Sequence, residues 1–224
     1  MRPEMRHVTP TLEAETALWE EGYAYVAGLD EAGRGAWAGP VYAGAVILPD
    51  DLDASSPLRS ARDSKQLTPK RREALFDVIE AQALAFGVGW ADPAEIDQIG
   101  IVPATKLAMS RALEMLAPQP QALVIDALRL SDCALPQRSF PFADALSLSV
   151  AAASIVAKVS RDRWMCETAE AAFPGYGFAQ HKGYGTRQHR TALASLGVSA
   201  IHRQTFRPVA QVIEKSGTMG RGGL

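Results

Sequence analysis

Short apolar runs alternate along this chain with longer amphipathic stretches, the pattern of a fold in which strands and helices take turns. Residues 23–30 and 41–48, rich in Val, Ala, Ile and Tyr, read as neighbouring strands, antiparallel across the Gly-rich turn between them. A polar loop covers 49–67. Thr68-Pro69 then supplies an N-cap and a proline at the first helical position, predicting a helix to about Ala83 with Leu75, Phe76, Ile79 and Ala83 on one face. A third strand runs from Leu84 to Trp90. Residues 103–116 form a second helix, with Met109, Ala112, Leu113 and Leu116 at helical spacing and Pro118 and Pro120 ending it. The run Ala122-Leu123-Val124-Ile125-Asp126 is apolar on both faces until its last residue, as in a central strand covered by helices on each side.

A long helix is predicted from Asp144 to about Glu170. Its Leu148, Ala152, Ile155 and Val159 make the face that packs on the sheet. Beside them, Asp144, Ser147, Ala151, Ser154 and Lys158 form a stripe of small or polar residues where another backbone has room to lie close. Beyond Pro174 the chain turns Gly-, aromatic- and base-rich. There Phe173, Tyr176 and Phe178 read as local core, and Tyr184, between two glycines, as a ligand contact. The organisation is therefore an N-terminal extension (1–22), a main α/β unit (23–170), a smaller helical part (171–212) and a tail (213–224) whose glycines predict disorder.

With 224 residues, 47% hydrophobic and 21% charged, the chain is long enough to bury one proper core. No apolar run reaches the length of a membrane span, and Met1 to Arg6 lacks the hydrophobic stretch of a secretory signal, which predicts a cytoplasmic protein. Cys133 and Cys166 are far apart and read as reduced thiols. The four histidines (His7, His181, His189, His202) lack metal-ligand spacing and read as structural or surface residues. The net charge of −2 argues at first against a nucleic-acid partner. Its distribution reverses that. Residues 1–58 hold ten acidic side chains against three basic, whereas 59–72 hold six basic against Asp63 alone, and 158–215 hold nine basic against four acidic.

The chemistry concentrates at Gly28-Leu29-Asp30-Glu31-Ala32-Gly33-Arg34-Gly35, where a strand ends in two carboxylates and a Gly-Arg-Gly turn. Successive strand side chains point to opposite faces, so Asp30 and Glu31 converge only where the pleat ends and the chain bends away. Arg34 offers a planar fork to an oxyanion, and glycines let a ligand approach the backbone. The glycine spacing fits neither a dinucleotide fingerprint nor a P-loop. Taken alone, Asp126 reads equally as a site acid or a solvated loop residue, and Asp144 first as a helix cap. If the sheet brings Asp30, Glu31, Asp126 and Asp144 together, their mutual repulsion calls for divalent counter-ions, and hard oxygen ligands favour Mg2+ or Mn2+. Setting those four aside leaves 21 of the 25 acids against 23 Lys and Arg, a slightly basic remainder.

Several motifs in order carry a resemblance. They are Gly28 to Gly35, Ala38-Gly39-Pro40-Val41, Asp63-Ser64-Lys65-Gln66-Leu67, Val124-Ile125-Asp126, Ala151 to Asp162, His181 to Thr186 and His202-Arg203-Gln204-Thr205-Phe206. Over roughly residues 15–210 the chain closely resembles bacterial-type ribonuclease HII. The resemblance implies an α/β fold: an RNase H-like mixed five-stranded sheet flanked by helices, with a small helical C-terminal subdomain that helps to hold a duplex. It implies Asp30, Glu31, Asp126 and Asp144 as catalytic, metal-binding carboxylates. Gly33, Arg34, Gly35 and Tyr184 would recognise a ribonucleotide and its junction with DNA, reading the 2′-hydroxyl. Lys65 and Lys158 would contact phosphates. The implied activity is endonucleolytic hydrolysis of RNA in RNA–DNA hybrids and beside single ribonucleotides in duplex DNA, by a monomer, leaving 5′-phosphate and 3′-hydroxyl ends. Two departures from the family pattern stand out: Ala127 where glycine usually follows the third acid, and Pro141-Phe142-Ala143 where a Gly- or Lys-containing turn usually leads to the fourth. Asp144 is preferred to Asp132 as that fourth acid because it is expected to open the helix carrying the Ala-Ala-Ala-Ser run. A non-catalytic nucleic-acid-binding module on the same fold, and a metal-dependent nuclease acting on all-DNA junctions, are the rival readings.

Overall fold

The computed structural model describes residues 9–219. In chain order, α1 (Glu13–Glu20) leads to β1 (Val26–Ala32) and β2 (Val41–Ile47). Two 3-10 turns, Pro57–Ser60 and Ser64–Gln66, punctuate the following polar loop. Then come α2 (Pro69–Gln82), β3 (Ala85–Ala91), α3 (Pro93–Ile99), α4 (Ile101–Glu114), β4 (Ala122–Asp126) and β5 (Gln137–Phe140). A short turn, α5 (Ala143–Leu146), precedes the long α6 (Leu148–Trp164), which continues through a π turn (Met165–Ala169) into α7 (Glu170–Ala172). Helices α8 (Phe178–His181), α9 (Arg187–Leu196) and α10 (Arg207–Met219) complete the chain.

The sheet has the order β3-β2-β1-β4-β5. Its first three strands pair antiparallel, while β1–β4 and β4–β5 are parallel. This is the mixed five-stranded sheet flanked by helices that the sequence leads one to expect. Alternation divides its two faces. Ala27, Leu29, Leu123 and Ile125 enter a core with Ala108, Met109 and Ala112 of α4. The opposite face receives α6 at unusually short range: a Cβ on Gly28 would lie 2.3 Å from the main-chain carbon of Ser149, and one on Gly44 would lie 2.3 Å from the carbonyl oxygen of Ala153. Only glycine admits that approach, and it lets the Ala-rich helix lie almost on the strands.

Two expectations need correcting. Asp144 does not open the long helix. It sits in α5, and Ser147, with extended backbone (ψ 130°), separates that turn from α6 and caps it, its Oγ accepting from the Val150 N–H at 3.3 Å. Serine favours a capping bond over helix continuation, which is why the break falls there. As expected, Leu148, Ala152, Ile155 and Val159 pack toward the sheet, in a core with Val46 of β2 that Leu75, Phe76 and Ile79 of α2 also enter, while Ser149, Ala153 and Ala157 make the closest backbone approach. Finally, residues 213–219, expected within a disordered tail, continue α10, whose Val209 is fully buried and whose Pro208 occupies the first turn, where its missing N–H is harmless. The last five residues, and His7, lie outside the described residues.

The N-terminal stretch is part of the packing. Leu18 joins Val26, Ala122, Val124 and Val150 in a buried cluster. Glu15, fully buried, reaches the start of α6: its Oε1 accepts from Ser147 Oγ at 2.5 Å, Ser149 Oγ at 2.5 Å and Ser149 N at 2.9 Å. A carboxylate there also complements the positive end of the helix. The C-terminal helical part closes over Ala38 through Met165, Ala169, Tyr176, Phe178 and Ala192. No helix among the described residues is long and apolar enough to cross a membrane.

Candidate active site

Asp30 and Glu31 stand where pairing stops on one side only. Toward β2 the ladder continues to Ala32, but toward β4 it ends at Leu29 opposite Ile125. The end of β4 therefore lies open beside β1, and Asp126 is its last residue. Asp126 Oδ1 accepts from the Ala143 N–H at 2.8 Å, which draws α5 and Asp144 to the same place. Asp30 and Asp144 are almost wholly buried, whereas Asp132 is exposed.

Electrostatics express the convergence. Burial, and then the charges of Glu31, Asp126 and Asp144, hold the Asp30 pKa well above the ordinary carboxylate value, against a 2.7 Å hydrogen bond from the Glu31 N–H. Burial also raises Glu31, opposed by Arg34, whose Nη1 is 3.5 Å away; Asp126 raises it further. At Lys65 burial works against the charged ammonium, yet Asp63, Asp30, Asp144 and Glu31 together lift its pKa.

Of these acids Glu31 lines a cleft of about 440 Å³, whose walls also include all six residues expected to contact substrate: Gly33, Arg34, Gly35, Lys65, Lys158 and Tyr184. Lys158 donates to Asp162 Oδ1 at 2.6 Å and stands 5.6 Å from the centre of the Tyr184 ring. The two glycines serve differently. Gly33 has φ 89° and turns the chain, whereas a Cβ on Gly35 would meet nothing within 4 Å. Folding does not require glycine at 35, so what its bareness provides is close access from the cleft.

Several residues near the cleft escaped the sequence reading. Arg161 and Arg203 are fully buried and donate to main-chain carbonyls around the Gly-Arg-Gly turn. His181, His189 and His202 form a buried group behind Tyr184. The hydrogen bonds fix their tautomers. The Ser199 N–H donates to His202 Nδ1 at 3.0 Å, so His202 carries its proton on Nε2 and gives it to His189 Nε2 at 3.0 Å; His189 Nδ1–H then donates to the Tyr184 carbonyl at 3.1 Å. The motif His181 to Thr186 pointed to this region, but a lone histidine or arginine in sequence gives no sign of being buried.

No group of three or more His, Cys, Asp or Glu side chains among the described residues stands ready to hold a metal ion. Glu31 leans on Arg34, and Asp126 is engaged by Ala143. The donor set nevertheless suits a hard divalent cation: buried Asp30 and Asp144 and half-buried Glu31 and Asp126 meet at one corner, and the upward shift of Asp30 is what a cation there would reverse.

A mixed sheet whose adjacent parallel strands carry Asp30, Glu31 and Asp126 toward their carboxyl ends, beside a cleft lined by Arg and Lys, is the arrangement of a hydrolytic nuclease of the RNase H-like class. The family model of ribonuclease HII matches residues 27–209. A ribonuclease HII of Dehalococcoides mccartyi is 50% identical over 92% of this chain and 97% of its own, and one of Desulfitobacterium hafniense is 51% identical over 94% and 79%. The crystal structure of ribonuclease H2 from Pyrococcus horikoshii superposes with a TM-score of 0.70 at 28% identity, covering 85% of this chain and 98% of that one. The chain belongs to the ribonuclease HII family, divalent-metal-dependent endoribonucleases that degrade the RNA of RNA–DNA hybrids.

Proposed function

We propose that, beyond cutting hybrids, this enzyme nicks duplex DNA on the 5′ side of a single embedded ribonucleotide, leaving 5′-phosphate and 3′-hydroxyl ends. The observation that carries the reading is that Glu31, whose charge bears on buried Asp30, also lines the cleft formed by Gly33, Arg34, Gly35 and Tyr184. The bare backbone at Gly35 suits close approach to a 2′-hydroxyl, the group that distinguishes RNA from DNA. Arg34 and Lys65 supply cations at the cleft wall for the flanking phosphates, and Lys158 adds a third beside Tyr184. The tyrosine ring offers a flat face to a sugar or base at the RNA-to-DNA junction.

Asp30, Glu31, Asp126 and Asp144 are the metal ligands in this reading, and no covalent intermediate on a side chain is required. Held by these four carboxylates, Mg2+ or Mn2+ would supply activation of the attacking water and charge stabilisation at the leaving oxygen. Lys65, held charged by the acids, balances the negative corner before substrate arrives. We place the enzyme in the cytoplasm as a monomer.

The test is a labelled duplex carrying one ribonucleotide, incubated with Mg2+, Mn2+ or chelator beside an all-DNA control. A metal-dependent nick immediately 5′ of the ribonucleotide, with the control intact, is expected. Cleavage of hybrids without any nick at the single ribonucleotide would overturn the proposal, and cutting of the control would favour a DNA-junction nuclease.

A further inference from the structure

Two segments meet at the cleft, the Gly33–Gly35 turn and the 182–185 loop that carries Tyr184, and one side chain spans both. Arg161, on α6, is completely buried. Its Nε donates to the Pro40 carbonyl at 2.9 Å and its Nη2 to the Ala38 carbonyl at 3.2 Å, while Nη1 donates to the Lys182 carbonyl at 3.0 Å. The guanidinium also lies 5.4 Å from the centre of the Tyr184 ring, within cation–π range. On its other flank it packs so tightly beneath Gly33 that a Cβ there would fall 1.9 Å from Nε. Arg203 completes the arrangement, donating from Nη1 to the Arg34 carbonyl at 3.0 Å and from Nε to the Gly39 carbonyl at 2.9 Å.

A buried cation is a costly way to join two segments if stability were the only return, since each guanidinium is buried among carbonyls. Backbone bonds already join the segments: the Trp37 N–H donates to the Gly183 carbonyl at 2.8 Å, and the Arg203 N–H donates to the Trp37 carbonyl at 2.8 Å. What the planar fork adds is direction. It fixes the angle and distance between the turn that faces the ribose and the ring that faces the next sugar. We propose that Arg161, assisted by Arg203, is a positioning residue that sets the spacing between the Gly33–Gly35 turn and Tyr184, and so sets the preference for an RNA-to-DNA junction over uniform hybrid. This rests on the reading of those two segments as the substrate-recognition elements.

The experiment compares cleavage of a single-ribonucleotide duplex with cleavage of a uniform hybrid for the full-length enzyme, Arg161→Lys, Tyr184→Ala and the double variant. Lysine keeps the charge but not the fork. Arg161→Lys is expected to lower the junction-to-hybrid ratio of kcat/KM about tenfold, to leave hybrid turnover within about twofold, and to have no further effect once Tyr184 is alanine. An equal loss on both substrates, an unchanged ratio, or an effect that simply adds to that of Tyr184→Ala would overturn it. If Arg161→Lys fails to fold, Arg203→Lys tests the same spacing through Arg34, with the same expected fall in ratio. A wild-type enzyme that shows no junction preference would instead defeat the underlying reading of the cleft.

Discussion

Asp126 and Ala143 are joined by a hydrogen bond of 2.8 Å in which the carboxylate accepts from the main-chain N–H, so the third acid holds the turn that presents the fourth. Charge and architecture are separable here. Asp126→Asn keeps an oxygen for Ala143 and removes the charge, whereas Asp126→Ala removes both. Cleavage should disappear in each. Only the alanine variant should also lose stability, by about 1–2 kcal/mol, read by denaturant unfolding. Equal stabilities would show that the bond does not secure the turn.

Both departures from the family pattern fall on left-handed backbone. Ala127 has φ 53° and Phe142 has φ 64°, positions where a side chain is strained and glycine is at ease. Ala127→Gly should therefore stabilise the protein by about 1 kcal/mol, raising the melting temperature by about 2–4 °C. An unchanged or lower melting temperature would contradict the strain.

The acid corner is held together against its own repulsion. Because the Asp30 pKa is raised, first by burial, the folded protein binds that proton more tightly than the unfolded chain does. Its contribution to stability is present below the unfolded carboxylate pKa and is lost as pH rises through that range toward the folded value. At pH 7 in chelator, Asp30→Asn should melt about 2–4 °C above the wild type, equivalent to about 1 kcal/mol. Added Mg2+ should raise the wild-type melting temperature and move the variant less. A variant less stable than wild type in chelator would rule this out.

The histidine chain gives the opposite sign. Burial, reinforced by neighbouring imidazoles, lowers the pKa of both His189 and His202 to about 4. The folded state thus takes up these protons less readily than the unfolded state, whose value is about 6.5. Their contribution to stability is full above that value and declines as pH falls toward 4. Thermal melts of wild type and His189→Gln across pH 7 to 4 should show a flatter profile for the variant. Parallel profiles would remove His189 from the account.

Much of the fold could be read from the chain because periodicity reports burial directly. Ala122 to Ile125 is apolar on both faces and proves to be a strand covered on both sides. Thr68-Pro69 marked the start of α2, where Thr68 Oγ1 accepts from the Arg71 N–H at 3.3 Å. Asp30, Glu31 and Asp126 were legible as candidates because an acid at the end of an apolar run is conspicuous, whereas Asp144, read first as a helix cap, was singled out only by the family resemblance. The break at Ser147 was not legible, since Asp144, Ser147 and Ala151 keep helical spacing in the sequence whether or not Ser147 itself is extended. Nor were Arg161, Arg203 and Glu15. Charged residues are normally outside, and only the folded chain shows their partners: carbonyls for the arginines, and two serines at the head of α6 for the glutamate.

Helix α6 lies against the strands at Gly28 and Gly44 with no slack, and the same rod carries Lys158 to the cleft wall and holds Arg161 buried beneath Gly33. From Ala153, above Gly44, to Arg161 is eight residues, about 12 Å of helix. The two bare strand positions thus act as the bed on which a lever rests. A single methyl group at Gly44 would be a shim beneath it, tilting the far end beside the cleft and, on the proposed reading, detuning recognition from a position remote from the cleft lining.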